Sequence, residues 1–272
     1  MATDSTDPLE FTRDRLGEPE ATFRVGAGRF WAKFALGAAL LAYGVVANAL
    51  AWRWGVWGVD HVTLLVLFAP PVTGLSILRQ LAASRGLAYL VYPAGLVRVR
   101  GRELTAFAWG DLAELTVRAE QAAAVVVTEA GRVTDCRLVV SAPALRLGSA
   151  AVTLRRADGE VAEVTAAVAD YPALVEEVTS RTFAAEWPRL LAELAAGGSR
   201  AFGPWLALPE GLRTESAVVP WGELKLGRVA DRILTVERVG VRPVTWQALL
   251  ESIPSPHLLI ALFAAAQAEP AA

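Results

Sequence analysis

Two long apolar runs near the N-terminus constrain this chain more than any other feature of its sequence. Residues 34–51 and residues 62–78 contain no charged side chain. As helices these runs of 18 and 17 residues would each rise about 26 Å, close to the ~30 Å of a hydrocarbon core. We therefore predict a transmembrane hairpin with helices at about 34–52 and 61–81.

Two other interpretations of the apolar runs are less satisfactory. A signal peptide fits the first run poorly, because about 30 mostly polar residues precede it and a second apolar run follows at once. Two core helices of a soluble domain would not normally need adjacent, charge-free runs of this length. The tryptophans Trp31, Trp52, Trp54 and Trp57 flank the runs, as in an aromatic belt at the membrane surface.

The distribution of basic residues predicts the orientation of the hairpin. Only Arg53 lies in the connecting loop, whereas basic residues cluster on both outer flanks: Arg13, Arg15, Arg24, Arg29 and Lys33 before it, and Arg79, Arg85, Arg98, Arg100 and Arg102 after it. The positive-inside rule then places both termini in the cytosol. The chain has two lysines and 24 arginines, a ratio typical of a GC-rich bacterial genome. Together with the two apolar runs, this predicts a multi-pass protein of the bacterial inner membrane.

Polar and small residues inside the hairpin predict how its helices pack. Pro70-Pro71 predicts a kink that is tolerated by packing against the first helix, with a gate or hinge as the alternative. The amide of Asn48 is placed to bond across helices or between subunits, or to sit near the interface. The four-residue spacings Ala35/Ala39 and Ala38/Ala42 permit close helix packing.

Beyond the hairpin the pattern changes to short, alternating runs that predict strands. These are residues 87–92, 96–100, 104–109, 112–118, 123–128, 137–140, 151–155 and 161–168. Within 96–100, Val97 and Val99 should face the core and Arg98 and Arg100 the other side. A helix should follow, with Asp170 as N-cap, a kink or restart at Trp187-Pro188, and Gly197-Gly198 after its end.

The pattern then partly repeats. Residues 202–208, 212–214, 217–221, 224–226 and 233–239 predict strands, and a last helix should run from Ser255-Pro256 to residue 266. Gly95-Leu96 followed by Trp109-Gly110-Asp111-Leu112 is matched by Gly211-Leu212 followed by Trp221-Gly222-Glu223-Leu224. This signature indicates an internal repeat, in which the second copy is either a truncated barrel or a sheet that completes the first.

The predicted fold is therefore α+β and membrane-anchored. Antiparallel strands closed by a C-terminal helix suit a pleckstrin-homology-like barrel or sandwich with a partial second copy. We expect a disordered tail at residues 1–15, the hairpin with a strand-like lead-in at 16–82, a β unit plus helix at 86–198, and a shorter β plus helix unit at 200–267.

Several segments together carry a family resemblance. They are Leu16-Gly17-Glu18-Pro19, the two apolar runs, residues 92–115, residues 201–229 and residues 245–262. The chain resembles a bacterial domain-of-unknown-function family of two-helix membrane proteins with a pleckstrin-homology-like cytoplasmic part. The likeness covers residues 16–266, and Ser255 stands where the family has Asn. The resemblance implies no reaction, substrate or binding residue.

The sequence offers no recognisable catalytic constellation. His61 and His257 would lie on opposite sides of the membrane, and both are interpreted as interfacial or capping residues. Cys136 is the only cysteine, which excludes an intrachain disulfide and a thiolate-rich metal site. With no nearby histidine partner, Cys136 is interpreted as a small buried apolar residue. Asp111 and Glu223 are interpreted as structural turn acids, and Trp109 and Trp221 as core residues rather than ligand-stacking groups. We predict a protein that is not an enzyme and has no cofactor.

The best candidate contact residues are basic. Arg98, Arg100 and Arg102, with the juxtamembrane Arg79 and Arg85, form a patch suited to anionic lipid headgroups or a protein partner; the alternative is a solvated strand face. A net charge of −2 does not favour nucleic acid. The leading hypothesis is a membrane-tethered binding or scaffold module of undetermined oligomeric state. The alternative is a small oligomeric channel or transport subunit, lined by the kinked helix and Asn48.

Overall fold

The protein is an α+β chain with an exposed apolar helix near its N-terminus and a body built mostly of β-sheet. The computed structural model describes residues 16–55, 61–119, 121–140, 151–215, 217–239 and 244–268. The predicted tail at 1–15 lies outside the described residues, as do Trp57 and the side chain of His61.

The two N-terminal helices are longer than the sequence predicted. Helix α1 spans Ala27–Trp54 and helix α2 spans His61–Ser84, because helix formation continues beyond the uncharged runs into flanks that carry Lys33 and Arg79. In the described residues, one helix is long and apolar enough to cross a membrane, Phe30–Trp54, with a mean hydropathy of 1.9 and 17% of its most apolar stretch buried. The apolar stretch of α2, Val66–Ala82, is shorter.

In the described residues up to 170, the strands form three antiparallel groups. The first sheet has the order β1 (Ala21–Arg24), β2 (Leu87–Tyr92), β3 (Gly95–Arg100) and β4 (Glu103–Ala108). The second has the order β5 (Leu112–Arg118), β8 (Ala151–Arg156) and β9 (Val161–Thr165), and β6 (Ala122–Glu129) pairs with β7 (Arg132–Val140) as a separate hairpin. Helix α3, Tyr171–Ala195, follows β9.

The C-terminal part of the described chain has the same arrangement. One sheet has the order β10 (Arg200–Phe202), β11 (Trp205–Leu208), β12 (Gly211–Arg213) and β13 (Val218–Pro220). The next has the order β14 (Leu224–Ala230), β15 (Ile233–Arg238) and β16 (Val244–Leu249), and helix α4, Pro256–Ala268, ends the description. We refer to residues 16–198 as the N-terminal unit and to residues 199–268 as the C-terminal unit.

Comparison of the two units locates the apolar helices within the fold. In the C-terminal unit, β10 and β11 are joined by a two-residue turn, Gly203-Pro204, with Phe202 opposite Trp205. In the N-terminal unit, the corresponding strands β1 and β2 pair from Ala21–Val91 to Arg24–Ala88 and enclose both α1 and α2. The helical hairpin is thus an insertion into a β-hairpin.

The tryptophan of each repeat signature occupies the same structural position. Trp109 and Trp221 each begin a 3-10 turn after the fourth strand of their unit. The indole Nε1 of Trp109 donates to Tyr92 O at 3.1 Å, and that of Trp221 donates to Leu208 O at 3.0 Å. Each acceptor is the last residue of the second strand. The same hydrogen bond therefore links the turn after the fourth strand to the end of the second strand in both units. Trp109 is buried as predicted, whereas Trp221 is half-buried and contacts the Phe263 ring edge-on at 5.7 Å.

A continuous apolar core joins the two units. It includes Leu115 of β5, Leu138 of β7, Leu174 of α3 and Leu258 of α4, all fully buried. The β6–β7 hairpin packs against both α3 and α4, and Gln121 forms a bridge with Ala230 of β14. The units also share backbone bonds, since Ser255 N donates to Leu115 O at 2.6 Å.

Several predicted elements need correction. Residues 202–208 are not one strand but parts of β10 and β11, because Gly203-Pro204 forms a turn. Strand β16 was missed, and β7 begins five residues before the predicted 137. Helix α3 runs without interruption through Pro188, and the carboxylate of Asp170 forms no capping bond, although Leu174 N donates to Asp170 O at 3.1 Å.

Candidate functional site

The most distinctive site in the fold is the junction at which the helical hairpin leaves the first sheet. Helix α1 begins three residues after Arg24 ends β1, and β2 begins three residues after Ser84 ends α2. Because Arg24 and Ala88 are register partners, both helices leave from the same end of the sheet. Backbone contacts tie this end to the body, since Ala169 N donates to Arg24 O at 2.9 Å and Val25 bridges to Val168.

Three of the five predicted arginines meet at this junction. Arg100 is the register partner of Leu87, the first residue of β2. Gly101 N donates to Gly86 O at 3.3 Å, which brings the β3–β4 turn with Arg102 against the turn that contains Arg85. The side chains of Arg85, Arg100 and Arg102 are all exposed, and in the part of the chain that the structure describes none forms an ion pair. We call these three residues the junction arginines.

The other two predicted arginines lie apart from this cluster. Arg98 is half-buried two register pairs deeper in the sheet, opposite Tyr89, and its guanidinium donates to Thr105 Oγ1 at 3.5 Å. Arg79 is exposed on α2, six residues before Arg85, which corresponds to about 9 Å along a helix. Neither belongs to the junction arginines.

Strand β3 has an apolar and a basic face, as predicted. However, it is the basic face, and not the apolar face, that borders the main core. Arg98 shares its face with Tyr89, which is fully buried in the main core and donates its hydroxyl to Glu163 O at 2.7 Å. Burial raises the pKa of Tyr89 to about 12. Val97 lies on the other face in a separate small cluster with Leu16 and Tyr92. Both faces of the sheet are therefore partly covered, and the basic positions form the edge of a core face.

An additional basic residue at the junction was not recognised as part of the patch. Arg24 is exposed at the end of β1, and its register partner Ala88 directly follows Leu87. The sequence placed Arg24 only among the residues that precede the hairpin, because the pairing of β1 with β2 spans about 60 residues and leaves no local signal. Glu103, the exposed register partner of Arg100, adds one acidic group at the same end of the sheet.

The helices beside the junction expose large apolar side chains. Trp31, Val45 and Trp52 of α1 are 64%, 69% and 77% exposed, and Val72 of α2 is 65% exposed. Near the start of α1, Trp31 contacts the rings of Phe30 and Phe34 edge-on, with centroids 5.8 and 5.6 Å apart. This aromatic cluster at the start of α1 and the junction arginines both belong to the end of the hairpin that joins the sheet. Aromatic and basic side chains are typical of protein surfaces that meet lipid headgroups.

The side chain of Asn48 replaces a backbone hydrogen bond that α2 lacks at Pro71. Pro71 has no N–H, so the carbonyl of Leu67, four residues earlier, lacks its usual helical donor. Asn48 Nδ2 donates to Leu67 O at 3.3 Å and to Gly44 O of its own helix at 2.7 Å. Of the three alternatives considered for Asn48, the structure shows the bond across helices, and this bond lies within one chain.

Close helix packing in the hairpin depends on glycines rather than on the predicted alanines. Ala35, Ala39 and Ala42 are exposed and Ala38 is only half-buried. Gly44 and Gly74 are buried instead, and a Cβ at Gly44 would lie 2.6 Å from the Cβ of Pro71. The ring of Pro71 thus packs directly on the backbone of α1, as expected for a proline that is tolerated by packing.

The predicted histidine and cysteine environments require correction. His257 is neither interfacial nor a cap, because it is fully buried, and Cys136 Sγ donates to its backbone oxygen at 3.2 Å. Cys136 therefore does have a histidine neighbour, although the contact is through the main chain. Burial raises the pKa of the Cys136 thiol to about 12, which does not suit a nucleophile. Within the described residues, no group of three or more His, Cys, Asp or Glu side chains is arranged to hold a metal ion.

A surface cavity of about 470 Å³ lies along α3 and is lined by Arg137, Glu176, Glu177, Ser180 and Arg181. Its arginines are already paired, because Arg137 contacts Glu176 at 3.1 Å and Arg181 contacts Glu177 at 2.8 Å. The turn acid Glu223 is likewise paired, with Arg238 at 2.7 Å. Because these charges are already paired, the junction arginines are the better candidates for ligand contact.

No family model matches the chain, and neither a curated protein nor a solved structure is significantly similar to it.

Proposed function

We propose that this chain is a multi-pass protein of the bacterial inner membrane that holds a cytosolic binding module against the bilayer through the α1–α2 hairpin. The observation that carries the proposal is the insertion of an exposed apolar hairpin between two paired strands. A helix attached through a flexible linker would leave the module free to move, whereas this junction fixes its orientation relative to the helices. The proposed activity is binding and not catalysis.

The lengths of both helices support two membrane spans. Helix α1 has 28 residues and α2 has 24, which correspond to about 42 and 36 Å, both longer than the ~30 Å hydrocarbon core. The carbonyl freed by Pro71 is satisfied inside the hairpin by Asn48, as backbone groups in lipid require. Exposed Arg85, Arg100 and Arg102 at one end of the hairpin support a cytosolic body.

The topology of the body supports a pleckstrin-homology-like fold for both units, as in the family that the sequence resembles. Each unit has an antiparallel meander, a 3-10 turn that begins with Trp, a second antiparallel sheet and a C-terminal helix. The N-terminal unit differs by two insertions, the helical hairpin and the β6–β7 hairpin. On this proposal the C-terminal unit is a second copy with its own sheets.

Membrane insertion and topology are tested with reporter fusions to the full-length chain. A reporter at Ala272 should be active only in the cytosol, and one inserted after Gly55 only outside. Resistance of the chain to alkaline extraction from membranes should accompany both results. A protein that is released into the soluble fraction would rule out the proposal.

We propose that the junction arginines bind the phosphate of anionic lipid headgroups, for which exposed guanidinium groups are suited. Full-length protein solubilised in mild detergent should retain phosphatidylglycerol in native mass spectra, and R100Q/R102Q should retain several-fold less. The matched control is R132Q/R213Q, which removes two exposed arginines from β7 and β12. Equal retention by both double variants would exclude lipid binding at the junction and favour a protein partner.

A further inference from the structure

Helix α2 carries a narrow polar stripe on the side that faces away from α1. Its members are all exposed and follow one another at spacings of three and four residues: Thr73, Ser76 and Gln80. At 3.6 residues per turn these spacings place them on one face of the helix. The residues of α2 that contact α1, Leu67, Gly74 and Leu78, lie roughly half a turn away on the opposite face.

The surroundings of Thr73 and Ser76 are apolar, whereas Gln80 lies next to exposed Arg79. Val66, Val72 and Leu75 flank the stripe and are 45%, 65% and 61% exposed. A helix side that faces water would not normally surround its polar residues with three exposed aliphatic side chains. Polar residues within an apolar surface, at the spacing of a helix–helix seam, are instead typical of contacts between membrane helices.

The polar groups of the stripe have unused hydrogen-bonding capacity. Among the residues that the structure describes, no hydrogen-bond partner is present for the hydroxyls of Thr73 and Ser76 or for the amide of Gln80. Lipid chains provide neither donors nor acceptors, so these groups are better satisfied by another protein surface. Asn48 cannot serve them, because its amide is bonded within the hairpin.

We propose that the stripe is the contact between the α2 helices of two copies of this chain, an inference that rests on the membrane insertion proposed above. All copies enter the membrane in the same orientation, so their α2 helices run parallel. A two-fold axis along the membrane normal then brings Thr73 against Thr73 and Ser76 against Ser76. A hydroxyl is both donor and acceptor, and so is an amide side chain, which makes the stripe complementary to itself.

Cysteine crosslinking of the full-length protein in membrane vesicles tests this contact. After oxidation, Ser76→Cys should give a disulfide-linked dimer at a yield at least about fivefold above that of Leu75→Cys, the exposed neighbour outside the stripe. The unsubstituted chain should give none, because Cys136 is buried. Adding Thr73→Leu to Ser76→Cys should reduce the dimer severalfold, since a larger side chain separates the helices.

The topology reporters at Ala272 and after Gly55, applied to the same variants, separate the possible failures. Correct insertion with equal or absent crosslinking at positions 76 and 75 would overturn the α2–α2 contact and leave membrane anchoring intact. Crosslinking of Ser76→Cys only to a different protein would overturn it as well. Failure of insertion would remove both proposals.

Discussion

At the scale of single residues, His257 makes stability depend on pH. Its imidazole is fully buried, and neither ring nitrogen has a partner among the described groups. Burial lowers its pKa to about 3, with Asp135 opposing the shift, against an ordinary value of about 6.5. The unfolded chain thus binds a proton that the folded chain resists, so the stabilisation is complete above pH 6.5 and is lost as pH falls toward 3.

We therefore expect the thermal midpoint of the detergent-solubilised protein to fall between pH 7.5 and pH 5. The slope should approach about 1.4 kcal/mol per pH unit below pH 6.5. His257→Leu should remove most of this dependence, because Leu does not titrate. Circular dichroism melts at both pH values measure the effect, and an equal loss of stability in the variant would assign it to other titrating groups. The buried Glu186 is not one of them, because burial raises its pKa and the folded state therefore gains stability from this group as pH falls.

Asn48 and Pro71 should be energetically coupled, because the Asn48 amide satisfies the carbonyl that Pro71 leaves without a donor. Asn48→Leu should destabilise the hairpin by about 1 kcal/mol. In a Pro71→Ala background, where the residue-71 N–H can bond Leu67 O again, the same change should cost markedly less. A double-mutant cycle measured by unfolding in mixed detergent tests this, and strictly additive effects would contradict it.

At the scale of elements, the contact between α1 and α2 leaves no space for side chains at its glycines. A Cβ at Gly44 would meet the Pro71 ring at 2.6 Å, and one at Gly74 would meet Gly37 O at 2.7 Å. Gly44→Ala and Gly74→Ala should each destabilise the hairpin by about 1–3 kcal/mol. Gly28→Ala on α1, with no neighbouring atom within 4 Å, is the control and should be neutral or slightly stabilising. Unfolding in mixed detergent distinguishes them.

The sequence predicts helices and strands well where the pattern that defines them is local. Alternating side chains bounded by Pro-Ala-Gly and Gly-Arg turns defined β2 and β3 almost to the residue. Gly203-Pro204 is an equally strong turn signal, but the apolar residues on both sides of it resembled one strand. Strand β16 was missed although its sequence, Val-Thr-Trp-Gln-Ala-Leu, alternates between apolar and polar residues, a local signal that could have identified it.

At the scale of the whole molecule, what the sequence could not provide was long-range pairing. The junction exists because Arg24 in β1 meets Ala88 in β2 across the hairpin, and no local pattern records that contact. The patch was therefore predicted from proximity in sequence. It includes Arg85, Arg100 and Arg102, which lie at the junction, but also Arg79 and Arg98, which lie apart from it, and it omits Arg24. The repeat could be predicted because both units have the tryptophan, Trp109 or Trp221, that donates to the end of the second strand.

The pairing of β1 with β2 also predicts that the helical hairpin can be removed without loss of the body. The C-terminal unit joins its equivalent strands through Gly203-Pro204, so replacing residues 26–86 by Gly-Pro should let β1 and β2 pair as β10 and β11 do. We expect this chain to be soluble without detergent and to melt cooperatively, because the continuous core that includes Leu115 and Leu258 is untouched. A chain that starts at residue 87 lacks β1 and the contacts of partly buried Phe23 with the core, and should melt at a lower temperature. Aggregation of the first chain, or equal melting of the two, would show that β1 is not an integral strand of the sheet.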